Sequence, residues 1–436
     1  MLFHFKLIIM DLIWSRYNFL EEYKGRLLLY NSYTNNLFEF TTNEERQALL
    51  KLKSGEYNGV NHDFIADLED NLIVVENEDL LINKIKLARL STRFTASRMN
   101  LTIAPTVACN FACPYCYEEG AAKNKIMNKD IEDLIVKLVS SYKGLERLNI
   151  DWYGGEPLLA FNIIKSLSNR LMALPVREYK ATLITNGYLL DENKILQLKE
   201  LQISRLQITI DGLEKTHNQR RPHKTNNDSY IRILTNIDSL CELYPEAEIH
   251  IRVNIDKNNS DDFFQLFDHF KSKFKNPKSF VYPAYITEFN PCKTSFCMMN
   301  RTDQAEFALK NLDKYPFSRF YYPVTKLGEC TARFMNSFVI GPEAELYKCW
   351  CDVGEESKSI GNLIEGITNS SLYTQYMTES DPLFDEKCTN CSYFPICNGG
   401  CAFRRLKNKY NEELDDVCTI QKGNMGSFIR AYYDSL

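Results

Sequence analysis

From Ala108 to Tyr117 the chain reads Ala-Cys-Asn-Phe-Ala-Cys-Pro-Tyr-Cys-Tyr. This run places Cys109, Cys113 and Cys116 at C-x3-C-x2-C spacing, and we call these three residues the cluster triad. Three thiolates can hold three irons of a [4Fe-4S] cube and leave the fourth iron open to chelate a small molecule and pass it an electron. A zinc site instead closes a tetrahedron with paired C-x2-C units, and a disulfide framework does not favour three closely spaced cysteines.

Bulk composition describes a globular protein of more than one domain. The chain has 436 residues, of which 44% are hydrophobic and 25% are charged, and its formal net charge is −5. That length favours two or three domains. No basic field argues for nucleic acid, so we expect no nucleic-acid partner.

The N-terminal run MLFHFKLIIMDLIW is apolar but is interrupted by Lys6 and Asp11. It is too short to span a bilayer, and no small-residue cleavage site follows it. We therefore expect a buried strand or helix, no membrane partner and a cytoplasmic location. Fourteen cysteines in the reducing cytosol predict metal or cluster ligation rather than disulfide bonds.

Alternation of apolar strands and helical patterns from Met99 onward predicts a parallel sheet. The predicted strands end at Pro105, Gly154, Asn186, Asp211, Ile255 and near Tyr285. The predicted helices between them are 129–142, 158–174, 191–201, 230–243 and 261–274. Six such units indicate an α/β fold with a partial (β/α)6 TIM-type barrel.

A small α+β module precedes the barrel. Residues 24–30 and 36–40 read as two strands around a polar turn. The run from Thr42 to Glu45 begins a helix in the manner of a capping box, and a second helix is predicted at 63–71. Strands followed by helices favour a compact module, which we describe as winged-helix-like.

Three consecutive domains follow from these patterns. We predict the N-terminal module at residues 1–93 and the partial barrel at residues 94–300. The strand–helix rhythm then gives way to a cysteine-rich region with many turn residues. We predict that region as a third domain, residues 301–436.

Polar residues fall at the predicted ends of successive strands, which is where parallel βα folds hold ligands. They are Gly154, Gly155, Glu156 and Pro157 after the second strand, Asn186 after the third, Thr209 and Asp211 at the fourth, and Arg252 and Asn254 at the fifth. The cluster triad follows the first strand. Because these motifs are independent, their convergence is stronger evidence for a site than any one of them alone.

Each residue type suggests a contact. The two glycines allow close approach of the backbone to a ligand, and Glu156 can bind an ammonium group. Thr209 and Asn254 can hydrogen-bond to ribose hydroxyls or to a carboxylate. Arg220 or Arg221 can pair with a carboxylate.

Four runs resemble the radical S-adenosylmethionine (SAM) core shared by peptide and protein maturases, over roughly residues 99–290. They are Cys-Asn-Phe-Ala-Cys-Pro-Tyr-Cys-Tyr, Trp-Tyr-Gly-Gly-Glu-Pro-Leu, Ile-Thr-Asn-Gly-Tyr-Leu-Leu and Ile-Thr-Ile-Asp-Gly. The resemblance implies reductive cleavage of SAM at the open iron, which yields methionine and a 5′-deoxyadenosyl radical that abstracts hydrogen from the substrate. It also implies an electron donor such as flavodoxin or ferredoxin.

The same resemblance assigns site residues. The cluster triad would be catalytic and would hold the first [4Fe-4S] cluster. The expected cofactor-binding residues are Tyr115, Gly154, Gly155, Glu156, Pro157, Asn186, Thr209, Asp211, Arg221 and Asn254.

Seven further cysteines resemble a SPASM domain, which carries two auxiliary [4Fe-4S] clusters and brings the expected total to three. The resemblance assigns the distal cluster to Cys388, Cys391, Cys397 and Cys418, and the cluster nearer the barrel to Cys330, Cys349 and Cys401. Ala344 occupies the place of a glycine in the family pattern. The nearer cluster lacks an evident fourth ligand, so Cys351, Cys292, Cys297 or an open iron remain alternatives.

The N-terminal module resembles the leader-peptide recognition element of enzymes that modify ribosomally made peptides. Such a module adds an extended leader to its sheet edge as a further strand. The resemblance implies a precursor peptide as partner and a thioether or carbon–carbon crosslink as product. The alternative is an anaerobic sulfatase maturase that forms formylglycine. The N-terminal module favours the first class, because sulfatase maturases generally lack such a module.

Overall fold

The computed structural model describes residues 12–116, 125–286, 298–311, 322–326, 328, 330–411 and 415–436. The chain divides into two compact units, each built from separate stretches of chain. The terminal unit comprises Met1–Thr92, Arg301–Glu329 and Asp381–Leu436, and the central unit comprises Arg93–Asn300 and Cys330–Ser380. Because both units combine non-consecutive segments, they do not correspond one to one with the three predicted domains, which remain a prediction.

The described residues form the following elements. The strands are β1 (Ile13–Trp14), β2 (Asn18–Tyr23), β3 (Arg26–Asn31), β4 (Leu37–Phe40), β5 (Val74–Val75), β6 (Arg98–Ile103), β7 (Arg147–Trp152), β8 (Glu178–Thr185), β9 (Ile203–Thr209), β10 (Glu248–Ile255), β11 (Phe280–Tyr285), β12 (Ser337–Ile340), β13 (Glu345–Tyr347), β14 (Gly361–Asn362) and β15 (Gly366–Ile367). The helices are α1 (Asn43–Lys53), α2 (His62–Asp70), α3 (Glu78–Arg93), α4 (Lys129–Ser141), α5 (Phe161–Met172), α6 (Glu192–Glu200), α7 (Glu214–Arg220), α8 (Ser229–Leu243), α9 (Asp262–Lys271), α10 (Arg301–Lys310), α11 (Ser370–Thr374), α12 (Glu386–Thr389), α13 (Phe394–Cys397), α14 (Ala402–Tyr410) and α15 (Met425–Tyr433).

An antiparallel sheet in the order β2-β3-β4 forms the centre of the terminal unit. The predicted capping box is confirmed at the start of α1, where the Thr42 side chain accepts from the Glu45 backbone N–H and the Glu45 side chain accepts in return. The turn from Asn31 to Asn36 that joins β3 to β4 was also expected. β2 and α3 were not predicted from sequence.

Both faces of this sheet are covered. Alternate residues of β3 point to opposite sides, so Leu27 and Leu29 pack with α1 and α2 in one hydrophobic cluster. Leu28 and Tyr30 pack on the other side with residues of α13 and α15. The N-terminal segment and the C-terminal helix therefore share one core.

A second sheet organises the central unit. Within the described residues its strand order is β11-β10-β9-β8-β7-β6-β12-β13-β14-β15. The six strands from β6 to β11 are neighbours in chain order and pair in parallel. This arrangement confirms the predicted α/β fold with a partial (β/α)6 barrel, and helices connect the successive strands as expected.

β12 extends this sheet beyond β6. It pairs with β6 in parallel, with Ser337 opposite Asn100, and β13, β14 and β15 continue as antiparallel strands. These four short strands were not predicted, because the region reads as turns and cysteines rather than as an apolar alternation. They nevertheless protect what would be an open edge at β6.

Alternation along β10 explains how the sheet both packs and presents polar groups. Ile249, Ile251 and Val253 are buried. Arg252 and Asn254 point to the opposite face and line a cavity. The predicted strand and helix positions in this region agree with the structure to within a few residues.

The predicted buried segment at the N-terminus lies mostly outside the described residues. Only its last residues are described, and Ile13 and Trp14 form β1, which pairs with β5. None of the described helices combines the length and the apolar character that a membrane span requires.

Candidate active site

The cluster triad lines a cavity of about 290 Å³ at the carboxyl ends of the parallel strands. All three cysteines lie on the loop that follows β6. Each thiol is half-buried and belongs to no disulfide. The structure thus places the three predicted ligands together at the edge of the sheet where ligands are expected.

The loop is shaped to present sulfur atoms as acceptors. The Phe111 backbone N–H donates to Cys109 Sγ at 3.4 Å, and the Cys116 N–H donates to the Cys113 carbonyl at 3.1 Å. Burial raises the pKa of Cys109 to about 11 and that of Cys113 to about 12. Buried thiols of this kind ionise only beside a positive charge. The donor set therefore fits an iron–sulfur cube with one iron left open.

Residues 221–224 brace the cluster loop. The Lys224 N–H donates to the Asn110 carbonyl at 2.9 Å, and Lys224 Nζ donates to the Cys109 carbonyl at 2.6 Å. The His223 ring stacks on Tyr188 at 4.2 Å between ring centroids, and Phe111 packs edge-on against both rings. His223 therefore has a packing role here, and the brace fixes the backbone on which the triad sits.

Gly154 and Gly155 are required by backbone contacts with the cluster loop. A Cβ on Gly155 would lie 2.3 Å from the Ala108 carbonyl oxygen, and one on Gly154 would lie 2.2 Å from that of Thr106. Gly154 also has a φ of +122°, which side chains rarely adopt. Both glycines line the cavity, but the contact that excludes a side chain comes from the protein itself.

Glu156 is fully buried and joins two strand ends. Its carboxylate accepts from the Thr185 hydroxyl at 2.7 Å, from the Asn186 N–H at 2.8 Å and from the Leu158 N–H at 3.0 Å. Burial raises the pKa of Glu156, and these hydrogen bonds oppose that shift. A carboxylate can accept about four hydrogen bonds, so one position remains for a further donor.

Tyr115 links the cluster loop to β9 and β10. Its hydroxyl donates to Asp211 and accepts from Arg221 Nη1 at 2.8 Å and from Asn254 Nδ2 at 3.3 Å. Asp211 is fully buried and is also paired with Arg220. The buried Arg221 Nε has no hydrogen-bond partner among the described residues. That unsatisfied donor fits a ligand carboxylate.

The structure divides the predicted cofactor-binding residues into two sets. Those that line the cavity are Tyr115, Gly154, Gly155, Asn186, Thr209, Arg221 and Asn254. Glu156, Pro157 and Asp211 lie behind them as buried residues. Pro157 begins a short 3-10 helix, Pro157–Ala160, that carries the chain away from the site.

Several lining residues were missed by the assignment from sequence. They are Phe111, Tyr153, Ile184, Thr185, Gln207, Tyr285, Ile286 and Trp350. Gln207 had a detectable signal, because it lies two residues before Thr209 and so shares its face of the strand. Trp350 had none, because it comes from the cysteine-rich region. Arg252, expected at a strand end, and Cys351, an alternative cluster ligand, line the cavity too.

Two predicted auxiliary ligands lie in the central unit. Cys349 is buried directly after β13, whereas Cys330 is exposed just before β12. A hydrogen bond with Cys351, together with burial, raises the pKa of Cys349 well above its usual range. Cys351 is thus adjacent to a predicted ligand and also lines the cavity. The alternative ligands Cys292 and Cys297 lie outside the described residues.

The remaining predicted ligands lie in the terminal unit. Arg405 Nη1 donates to Cys388 Sγ at 3.5 Å, and Lys422 Nζ donates to Cys418 Sγ at 3.2 Å. Burial raises the pKa of Cys418, and the nearby Cys397 adds to this increase. The other two ligands are Cys391, which is half-buried, and Cys401, which is exposed. No three candidate ligands in the described part of the chain are grouped tightly enough for a single metal ion.

Comparison with known proteins supports the predicted class. Residues 103–270 match the sequence model of the Radical SAM superfamily. A cysteine-type anaerobic sulfatase-maturating enzyme of Clostridium novyi is 24% identical over 350 residues, which cover 73% of this chain and 92% of that protein. A serine-type counterpart of Klebsiella aerogenes is 21% identical over 323 residues, covering 67% and 77%.

Solved structures share the fold. The anSMEcpe protein with bound AdoMet and the Kp18Cys peptide has a TM-score of 0.61 and 19% identity, over 77% of this chain and 98% of that one. SuiB of Streptococcus suis bound to precursor peptide SuiA has a TM-score of 0.54 and 17% identity, over 93% and 99%. The match to the family model identifies residues 103–270 as a radical SAM domain.

Proposed function

We propose that the protein modifies a ribosomally synthesised precursor peptide, in which it installs a thioether or a carbon–carbon crosslink. The observation that carries the chemistry is the cavity itself, where the cluster triad faces polar residues from five consecutive strands or their following loops. SAM bound there supplies, on one-electron reduction, a carbon radical that abstracts hydrogen from the substrate. The chain's own residues hold SAM, orient it and exclude water.

Charged groups at the site match the two charges of the amino-acid part of SAM. The fourth acceptor position of Glu156 suits the ammonium group, and the unsatisfied Arg221 Nε suits the carboxylate. Thr209 and Asn254 provide hydrogen-bonding groups for the ribose. Tyr115 orients Arg221 and Asn254 by hydrogen-bonding to both.

A peptide or protein substrate is supported by the relatives. The proteins named above include sulfatase-maturating enzymes, and the two solved structures contain bound peptides. The likeness to SuiB covers a larger share of this chain than the likeness to anSMEcpe does. That difference favours a precursor peptide with a leader as the substrate.

The terminal unit offers an edge for such a leader. β4 is the outer strand of its sheet among the described residues. The Asn31 N–H donates to the Asn36 carbonyl, which puts the odd-numbered residues of β3 in hydrogen-bonded pairs with β4. Since such pairs alternate, the N–H groups of Leu37 and Glu39 face outward. An extended peptide can pair with them as a fourth strand.

The proposal includes three [4Fe-4S] clusters. The triad holds the first. Cys388, Cys391, Cys397 and Cys418 hold the distal one, and Cys330, Cys349 and Cys401 contribute to the nearer one, whose fourth ligand is Cys351, Cys292, Cys297 or absent. An external donor such as flavodoxin or ferredoxin supplies the electron for SAM cleavage.

The second candidate is an anaerobic sulfatase maturase that oxidises a cysteine or serine to formylglycine. The sequence relatives named above favour it.

Turnover by anaerobically reconstituted protein with SAM and dithionite, analysed by mass spectrometry, distinguishes the two candidates. If a short open reading frame adjoins this gene, a crosslink in its peptide product supports the first candidate. Formylglycine in a sulfatase-derived peptide, with that neighbouring peptide unmodified, replaces it with the second.

A further inference from the structure

Arg252 lines the active-site cavity, and its partners among the described residues are neutral. It lies on β10, opposite Thr209 of β9 and Tyr282 of β11. Its Nε donates to Asn254 Oδ1 at 2.9 Å, and Tyr282 is its neighbour across the strand pair. The cavity wall therefore positions this cation without neutralising it.

Two buried carboxylates of the site already have partners. Glu156 accepts from Thr185 and Asn186 at the end of β8, and Asp211 pairs with Arg220 and accepts from Tyr115. Among the described residues, no ion pair includes Arg252, whereas Arg220 is paired with both Asp211 and Asp256. A half-buried cation without a counter-ion is unfavourable, so this site suits an anion that arrives with a ligand.

The orientation of the guanidinium is fixed before any ligand binds. Asn254 Oδ1 accepts from Nε and so holds one edge of the guanidinium. The neighbouring Tyr282 hydroxyl donates to Gln207 Oε1 at 2.8 Å, so its proton does not point at Arg252. A planar, held guanidinium presents its remaining N–H groups to a carboxylate with little loss of conformational entropy.

We propose that Arg252 binds a carboxylate of the peptide substrate, either an acidic side chain or the C-terminal carboxyl group. This inference rests on the proposed function, because it takes the substrate to be a peptide. SAM carries one carboxylate, and Arg221 already offers it an unsatisfied donor. The second guanidinium of the cavity is therefore left for the substrate, where it fixes the residue next to the reacting carbon.

The first measurement asks whether Arg252 belongs to SAM. SAM affinity is measured by equilibrium dialysis on anaerobically reconstituted full-length protein. We expect Arg221→Gln to weaken SAM binding about tenfold or more, as loss of a hydrogen bond to a charged group does, and Arg252→Gln to change it less than about twofold. Equal weakening by both substitutions overturns the proposal, because it assigns Arg252 to SAM.

The second measurement tests directly whether the protein binds a carboxylate of the peptide. Immobilised, SAM-loaded protein captures peptides from two Cys-containing libraries of random sequence, one with amidated and one with free C-termini. We expect wild type to enrich Asp or Glu in the amidated library if a side chain is bound, or to prefer the free-acid library if the C-terminus is bound. Arg252→Gln should lose that preference about tenfold, and Arg252→Lys should retain part of it.

Arg205→Gln is the matched control, because Arg205 lies on β9 outside the cavity and pairs with Glu248 at 3.1 Å. It should leave the preference intact. Capture without acidic preference, or a preference that persists in Arg252→Gln, overturns the proposal. Failure of the proposed function is separate, since it appears as capture without turnover of any peptide. Iron content confirms that each variant is folded.

Discussion

Thr185 Oγ1 donates a 2.7 Å hydrogen bond to Glu156 Oε1, and this contact ties the end of β8 to the loop after β7. The Asn186 N–H reinforces it at the other carboxylate oxygen. Glu156 is therefore a structural link as well as a candidate ligand for the SAM ammonium group. A substitution at this position should affect both roles.

Glu156→Gln should weaken SAM binding by ~1.5–3 kcal/mol while iron content stays unchanged. The glutamine side chain has no negative charge to attract the ammonium group. Its NH2 group also faces N–H and O–H groups that donate hydrogen bonds to the carboxylate in the wild type. Equilibrium dialysis with SAM measures the effect. Glu178→Gln is the control, because Glu178 begins β8, at the opposite end of that strand from Thr185, and its carboxylate pairs with Lys180. SAM affinity equal to wild type would leave Glu156 with the structural role alone.

Gly155→Ala should impair cluster binding although it adds only a methyl group. The new Cβ would meet carbonyl oxygens of Val107 and Ala108 at 2.5 and 2.3 Å, so the cluster loop must move. We expect reduced iron content and loss of SAM cleavage. Gly328→Ala should have no such effect, because nothing lies within 4 Å of a Cβ there. Normal iron loading of the Gly155 variant would contradict the packing seen between the two loops.

Anaerobic reconstitution should load about twelve irons and twelve sulfides, as three cubes require. Replacing the cluster triad together by alanine should remove about four irons and all SAM cleavage, because one cube loses its ligands. Cys241→Ala provides the control, since Cys241 lies on α8 and lines no part of the cavity. Stoichiometric zinc without iron would end the cluster interpretation.

The sequence predicted the part of the fold with strong periodicity. β6 to β11 each combine buried apolar residues with a polar group at the carboxyl end, so their positions and the site at that edge could be inferred together. Glu156 was recognised because its motif is local. Its three donors come from two different loops and could not be read from the motif.

The rest of the site required the folded chain. Trp350 and Cys351 reach the cavity because the segment before them forms β12 and β13 beside β6, and strands of three or four residues leave little periodic signal. Tyr153 belongs to a motif that was recognised, but its role in lining the cavity was not. Its ring contacts that of Trp350, with 5.2 Å between the centroids, and no local sequence pattern predicts this contact. Such contacts depend on the pairing of strands that are far apart in sequence, and a local sequence pattern cannot predict that pairing.

Ile429→Ala should destabilise the terminal unit by ~2–5 kcal/mol. Ile429 is buried against Leu28 and Tyr30 of the N-terminal sheet, so the deletion leaves a cavity in a core shared by both chain ends. Anaerobic denaturant unfolding measures the change, and Leu436→Ala, at an 81% exposed position, should be neutral.

Because the N-terminal sheet and Ile429 of α15 share one core, removal of the N-terminal module should not yield an intact C-terminal region. A stable, fully loaded fragment that lacks residues 1–93 would contradict this.

Leader binding at β4 should show a two-residue period. N-methylation of successive amides in the leader of a precursor peptide substrate should weaken binding at alternate positions, by ~0.5–1.5 kcal/mol each, because only every second N–H pairs with an adjacent strand. Fluorescence anisotropy of labelled leader measures the affinity. A period of three to four residues would indicate a bound helix instead. Insensitivity at every position would leave the module without a strand-pairing role.

The pairing of β12 with β6 also has a consequence for biosynthesis. β6 is made early, whereas Ser337, its neighbour opposite Asn100, leaves the ribosome only after the whole barrel has been synthesised. Until then one edge of the parallel sheet has no partner and is exposed to pairing with other chains. Expression fragments that stop before β12 should therefore aggregate. Cluster insertion at the triad can begin before that edge closes.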